Sequence, residues 1–266
     1  MSEPFTTILA PNASIMTGAG TNTIVLGGGI EGATVIDPGS ADKQHLEAII
    51  SAGEERGGIR RILITHGHPD HLDGAEELRR MLHIYIYAFS RDGVSCADEE
   101  LQDGVIIPAG DDTLRAIHTP GHRFDHLCFL LEKERILFGG DLLAGTGTVV
   151  IAPPEGDMLD YLQSLQRLQK LDLAAIVPAH GPRIPNPQKR LSMYIEHRLE
   201  REQQILNTLQ QYPAGISLTA IVDQIYRDVD PQLHPIAAQS VTAHLLKLER
   251  EGRVQHIDSE GWRFLS

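Results

Sequence analysis

Apolar positions along the chain follow two rhythms. Short, nearly unbroken runs at 21–26, 33–36, 61–64, 85–89, 114–119, 126–131, 135–138 and 175–179 have the length of strands and are punctuated by Gly, Pro and Asp. Between several of them the spacing lengthens to three and four residues. Residues 41–56 place Leu46, Ile49 and Ile50 on one helical face; the stretch after residue 71 places Leu72, Ala75, Leu78, Met81 and Leu82 on another. Residues 157–171 align Leu159, Leu162, Leu165, Leu168 and Leu171, which are core positions. Strands interleaved with helices predict an α/β domain. Gly27-Gly28-Gly29 is followed by neither Lys-Ser/Thr nor a helix start, so it reads as a hairpin turn and not as a phosphate loop. Residues 90–104 are polar and acidic, and are expected to form a loop or short helix near the mouth of the site.

The pattern changes after the proline-rich break Pro182-Arg183-Ile184-Pro185-Asn186-Pro187. A long helix is predicted at 188–211, shorter ones at 217–226 and 236–251, and a hairpin around Ser259-Glu260-Gly261. Helix, helix, helix, hairpin resembles a winged-helix module. The expected division is a first domain at 1–185 and a connecting helix with a winged-helix-like domain at 186–266.

Composition adds limits. The chain has 266 residues and a net charge of −13, which opposes non-specific binding to phosphate backbones. Residues 198–266 hold seven Lys/Arg against nine Asp/Glu, so the winged-helix-like module lacks the basic face that duplex DNA demands. Duplex DNA is therefore not an expected partner. The module reads instead as a wall of the active-site cleft or a homodimer contact. No apolar stretch approaches the roughly 20 residues of a membrane span, so no membrane partner is expected. The start, Met1-Ser2-Glu3-Pro4-Phe5, has neither a signal-peptide nor a transit-peptide pattern, and a cytoplasmic location is expected. Cys96 and Cys128 are isolated; neither belongs to a metal motif or a disulfide framework.

The chemistry concentrates in Thr65-His66-Gly67-His68-Pro69-Asp70-His71, where a strand stops and a helix begins. Three imidazoles and a carboxylate in one turn suit zinc and similar metals. On an extended segment residues two apart face the same side, so His66 and His68 can converge on one ion, leaving Asp70 and His71 for a second. His118 and His126 read as surface or hydrogen-bonded histidines, not ligands.

His-x-His-x-Asp-His at a strand end resembles the metallo-β-lactamase superfamily. That resemblance implies a four-layer αββα sandwich and three further ligands at strand ends. Each is present: His122 after Thr119-Pro120-Gly121, Asp141 after Phe138-Gly139-Gly140, and His180 after Val177-Pro178-Ala179. By resemblance His66, His68 and His122 hold one metal, Asp70, His71 and His180 the other, and Asp141 bridges. Asp37 would support a ligating histidine from behind, where the alternative is a simple turn aspartate. Asp73 departs from the glycine that the family often has there, without removing a ligand.

The expected cofactors are two zinc ions per chain, or another divalent pair, sharing a hydroxide that Asp70 orients and whose proton it accepts. The loop 142–148 can offer N–H groups to a substrate anion, or simply connect. The helix containing Tyr194-Ile195-Glu196-His197-Arg198, together with the winged-helix tail, resembles the beta-lactamase-like protein 2 group. That group and its relatives include single-stranded RNA endonucleases and acyl-carrier-protein thioesterases. His197 and Arg198 face the cleft on this reading, or are ordinary helix-surface residues. The sequence ranks single-stranded RNA slightly first, and a small ester, thioester or lactone second. An iron-dependent redox enzyme and a non-enzymatic winged-helix regulator rank below both.

Overall fold

The computed structural model describes residues 3–257 and 261–265. The chain forms two compact units: Met1–Thr119, Asp125–Val149 and Leu171–Gln188 in the first; Pro120–Phe124, Val150–Lys170 and Lys189–Ser266 in the second.

The first unit is built on two sheets. One has six strands in sequence order: β1 (Phe5–Leu9), β2 (Asn22–Gly27), β3 (Ala33–Ile36), β4 (Ile59–Leu63), β5 (Tyr85–Ala88) and β6 (Glu99–Glu100). The β1–β2 and β2–β3 pairs are antiparallel, the second joined across the predicted glycine turn; β3 to β6 are parallel. Parallel pairing needs crossovers. Helix α1 (Lys43–Glu54) makes the first; α2 (Pro69–Leu72) and α3 (Ala75–Leu82) make the second. Asp42 caps α1 by accepting the N–H groups of Gln44 and His45, each at 3.0 Å. The other sheet holds β7 (Ile106–Ala109), β8 (Asp112–His118), β9 (Leu127–Leu131), β10 (Ile136–Phe138) and β11 (Ala175–Val177), in the spatial order β11-β10-β9-β8-β7.

Period-two alternation decides the packing. Leu26, Ile36 and Leu63 from the first sheet meet Leu114, Ala116, Phe129, Leu131 and Phe138 from the second in a shared apolar layer. The opposite face of the first sheet, with Val25, Val35, Ile62 and Ile86, is covered by Leu46 and Ile49 of α1 and Leu78 of α3. β3, β9, β10 and β11 are buried at every residue, which explains their unbroken apolar runs.

The second unit contains α4 (Met158–Gln169), most of α5 (Pro187–Gln211), α6 (Leu218–Ile225), α7 (His234–Arg250), β12 (Val254–Ile257) and β13 (Gly261–Phe264). Its core joins Ile205 and Leu209 of α5, Ile221 of α6, Leu245 and Leu248 of α7, Val254 and Trp262. A buried carboxylate, Glu202, ties α5 to Lys247 of α7 at 2.9 Å and to Arg253 at 3.3 Å. No helix among the described residues is long and apolar enough to cross a membrane.

Several details differ from the pattern reading. β1, β6 and β7 were not singled out as strands, and β6 lies inside the stretch 90–104 expected to be loop or helix. The helix after residue 68 is broken into α2 and α3. The break falls at Gly74, whose N–H bonds the Pro38 carbonyl at 2.9 Å and not a helical one; glycine is needed there because a Cβ would lie 2.4 Å from the Ser40 carbonyl oxygen. Asp73 accepts the Ala41 N–H at 3.0 Å. Helix α4 and the five residues 120–124 cluster with the second unit, so the units interleave along the chain. Ser259 and Glu260 of the expected hairpin turn lie outside the described residues.

Candidate metal centre

The turn after β4 is built to gather imidazoles. Pro69 opens α2 and leaves His68 extended at the cap position (φ −73°, ψ 142°). His66 and His68 meet edge to face, with His66 Nε2 2.8 Å from His68 Nδ1. His71, within α2, is fully buried. Asp141 follows the Gly139-Gly140 turn after β10, and His180 follows β11. His180 Nε2 lies 3.2 Å from Asp141 Oδ1 and 3.2 Å from Asp70 Oδ2. His71 Nε2 lies 3.6 Å from Asp141 Oδ1 and 3.5 Å from Asp70 Oδ2. Ligand atoms of His66, His68 and Asp141 all lie within 4.8 Å of one another, as do those of Asp70, His71 and His180. Six of the seven sequence-predicted ligands therefore come together inside the first unit.

Burial and the charges of the cluster set its protonation. Burial raises the Asp141 carboxyl, but the His71 charge and the His180 hydrogen bond outweigh it and hold the group well below the usual carboxylate range. Burial likewise raises Asp70, and the His180 hydrogen bond together with the His71 and His180 charges more than reverses it. Burial lowers His180, yet hydrogen bonds to Asp141 and Asp70 push it up to about 9. Burial also lowers His71, and the Asp37 and Asp141 carboxylates outweigh that and raise it well above its ordinary value. The carboxylates thus recruit protons onto imidazole in place of another cation.

The donor chemistry fits a metal at one atom in particular. His71 Nδ1 lies 2.7 Å from Asp37 Oδ2, which fixes the proton on Nδ1 in the neutral ring. Its Nε2 is buried and has no hydrogen-bond partner. A cation that displaced the His71 proton would take up the Nε2 lone pair and neutralise the two carboxylates it faces. Asp37 is itself over-determined: it also accepts the Thr65 N–H at 2.8 Å and the Thr65 Oγ1 proton at 2.7 Å. Three hydrogen bonds sustain its left-handed backbone (φ 49°), unusual for a residue with a Cβ. It is not a simple turn aspartate.

His122 sits in the segment 120–124 of the second unit, on a turn that closes only because residue 121 is glycine. Gly121 has φ 131°, and a Cβ would lie 2.2 Å from Tyr161 Cα. His122 Nδ1 is 2.8 Å from the Val150 carbonyl, which puts its proton on Nδ1 and its lone pair on Nε2. His122 is three residues from Thr119 and three from Asp125, both in the first unit. The chain alone keeps its Cα within about 11 Å of each.

Sequence reasoning missed the residues that hold the ligand turns. Thr21 Oγ1 donates to the Asp70 carbonyl at 2.9 Å, and Asn12 brackets Thr21 through both side-chain atoms. Asp125 grips another turn, and His126, expected as a surface or hydrogen-bonded histidine, is buried and hydrogen-bonded to a third. None of these has a spacing signal, because each acts on backbone. His118 is stacked on Phe89 at 3.8 Å, in keeping with a histidine outside the ligand set. In the loop 142–148, Gly145 N–H is bonded to the His180 carbonyl at 2.8 Å, and Thr146, Gly147 and Thr148 are exposed.

Comparison with known proteins agrees with this geometry. The family described as the metallo-beta-lactamase superfamily matches residues 16–180. The chain belongs to the metallo-β-lactamase superfamily. Residues 217–262 match the beta-lactamase associated winged helix domain, so this superfamily member carries a winged helix at its C-terminal end. A beta-lactamase-like protein 2 homolog from Caenorhabditis elegans is 33% identical over 98% of this chain and 90% of its own length. An atrochrysone carboxyl ACP thioesterase from Pseudocercospora fijiensis is 32% identical over 93% of this chain and 75% of its own. A metallo-beta-lactamase family protein from Thermus thermophilus shares the fold at TM-score 0.80 and 19% identity, covering 98% of this chain and 99% of that one.

Proposed function

We propose that this superfamily member is a binuclear metal-dependent hydrolase and that its substrate is an acyl thioester. The observation that supports the hydrolase reading most strongly is the buried His71 Nε2, which makes no hydrogen bond and lies 3.5 and 3.6 Å from the Asp70 and Asp141 carboxylates. His66, His68 and His122 would hold one divalent ion, Asp70, His71 and His180 the second, and Asp141 both. Zinc is the expected metal for an imidazole and carboxylate set without thiolate. Bound there, two such ions supply Lewis acidity that brings the pKa of water towards neutrality and polarises a carbonyl.

The chain's own groups do the rest. Asp70, whose carboxyl is held ionised, orients the attacking water and accepts its proton. Asp37 keeps His71 in the tautomer with a free Nε2. Water adds to the thioester carbonyl, the C–S bond breaks, and the proton taken up by Asp70 passes to the leaving thiolate.

A thioester is preferred to the single-stranded RNA that the domain arrangement alone favoured, for two reasons. The relative from Pseudocercospora fijiensis is named as an acyl-carrier-protein thioesterase. The net charge of −13 opposes a polyanion. The test is thiol release from an acyl-pantetheine thioester by the zinc-loaded chain, beside end-labelled single-stranded RNA, with Asp70→Asn as control. Thiol release by the wild type that is lost in the variant supports the reading. Uncut thioester with discrete RNA cleavage would replace it with the nuclease.

A further inference from the structure

Immediately before β9 lie two buried polar residues that the ligand set does not use. Asp125 is 1% exposed and His126 0%. Each grips a different ligand-bearing turn by its backbone. Asp125 Oδ2 accepts the N–H of Gly67, between His66 and His68, at 2.9 Å. His126 Nε2 accepts the N–H of Asp141 at 3.1 Å. The next residue, Leu127, donates its N–H to the Thr65 carbonyl at 2.7 Å.

The proton positions around His126 are forced. A backbone N–H can only donate, so His126 Nε2 carries a lone pair and the neutral ring carries its proton on Nδ1. Nδ1 lies 2.9 Å from Thr119 Oγ1, which accepts that proton. The Thr119 hydroxyl donates to Cys128 Sγ at 3.3 Å, and the Cys128 thiol to the Gly139 carbonyl at 3.5 Å. The chain of bonds therefore closes on Gly139, two residues before Asp141, where it began. His126, Thr119 and Cys128 are fully buried, which excludes water as a substitute partner. Gly140 makes the approach feasible: its φ is 49°, and a Cβ there would lie 2.5 Å from His126 Nε2.

We infer that His126, held as the neutral Nδ1–H tautomer, is a positioning residue for Asp141, and that Asp125 does the same for the His66–His68 turn. The inference rests on the metal-site reading above, in which Asp141 is shared. A core histidine that merely fills space needs no particular tautomer and no acceptor at Nε2. This one needs both, because its Nε2 lone pair is the acceptor that ties the Asp141 N–H to the start of β9, and the Nδ1 proton held by Thr119 keeps that lone pair on Nε2.

The test uses the full chain, metal-free and zinc-loaded. Long-range ¹H–¹⁵N correlation of the wild type reads the tautomer directly, and a proton on Nδ1 with a pyridine-like Nε2 is expected in both states. His126→Gln keeps an acceptor near the Nε2 position and a donor towards Thr119; His126→Leu keeps neither. Zinc affinity, measured by competition with a chromophoric chelator, should fall about tenfold to a hundredfold in the leucine variant and recover in the glutamine variant. A proton on Nε2, or equal losses in both variants, would overturn the inference. The tautomer needs no variant, so it decides even if His126→Leu does not fold. A wild type that binds one zinc would overturn the two-metal reading instead, and the Gln/Leu comparison on that remaining ion would still decide the role of His126.

Discussion

Replacing Asp37 by Asn changes the site without touching a ligand. The side chains are nearly isosteric, so packing is kept. The amide oxygen can still accept the Thr65 N–H, which lies 2.8 Å from Oδ1. The amide nitrogen must then stand where Oδ2 stands, facing the Thr65 hydroxyl and His71 Nδ1, each at 2.7 Å. The hydroxyl can rotate, since Thr65 Oγ1 also has His66 Nδ1 at 3.1 Å. The imidazole cannot escape so easily. It must move its proton to Nε2, which is the atom a metal needs. Loss of such an orienting partner costs about 10- to 100-fold in metal affinity, or roughly 1.4–2.7 kcal/mol. Zinc competition titrations at fixed pH, with circular dichroism to confirm the fold, would measure it. The affinity held by Asp70, His71 and His180 should fall by that factor, and the His66 side far less. Unchanged affinities in a folded variant would refute the tautomer argument.

Three further outcomes follow from the same structure. His180 is pushed up to about 9 in the metal-free site, so metal must displace a proton at pH 7. Apparent zinc affinity should then rise about tenfold per pH unit per displaced proton up to about pH 9, with proton release seen by calorimetry in buffers of different ionisation enthalpy. Gly121→Ala should cost about 1–3 kcal/mol, because the new Cβ meets Tyr161 at a left-handed backbone position, and should weaken zinc binding through His122 as well; urea unfolding and zinc titration check the two effects. In the second unit, burial raises Glu202 but the His244 and Lys247 hydrogen bonds outweigh it and take it down to about 2. A carboxyl depressed on folding stabilises above its unfolded pKa near 4.5 and loses that contribution as pH falls towards 2. About 2 kcal/mol, allowing for screening, should disappear over that window and be absent in Glu202→Gln, read by fluorescence of the single tryptophan, Trp262.

The parts of the fold legible in the sequence are those where one physical demand sets the pattern. Doubly buried β9 and β10 must be apolar throughout, and α1 needs one apolar stripe, so both could be read directly. β6 is two exposed glutamates paired to β5 by backbone alone and leaves no hydrophobic trace; β7 follows the apolar run Val105-Ile106-Ile107, but Pro108 cuts it to two apolar positions of the strand, too short to read as a strand. Among the candidate ligands, His66, His68, Asp70 and His71 stand out because they fall within six residues, where spacing fixes direction; His122, Asp141 and His180 are picked out by the family resemblance alone. Asp125, Thr21 and Asn12 do not stand out, because they act on the peptide groups of ligand-bearing turns; His126 is legible as a hydrogen-bonded histidine outside the ligand set, but not in what it holds. A side chain that bonds a backbone N–H places no demand on the identity of the residue it holds. The clustering of α4 with the second unit also leaves no trace, since its leucine stripe announces a buried face without naming what buries it.

The most direct test of the central claim is thioester turnover as zinc is added to the metal-free chain, with Asp141→Ala in parallel. The account predicts turnover that appears fully only at two equivalents and is absent from the variant at saturating zinc. Full turnover at one equivalent, or normal turnover in Asp141→Ala, would contradict it.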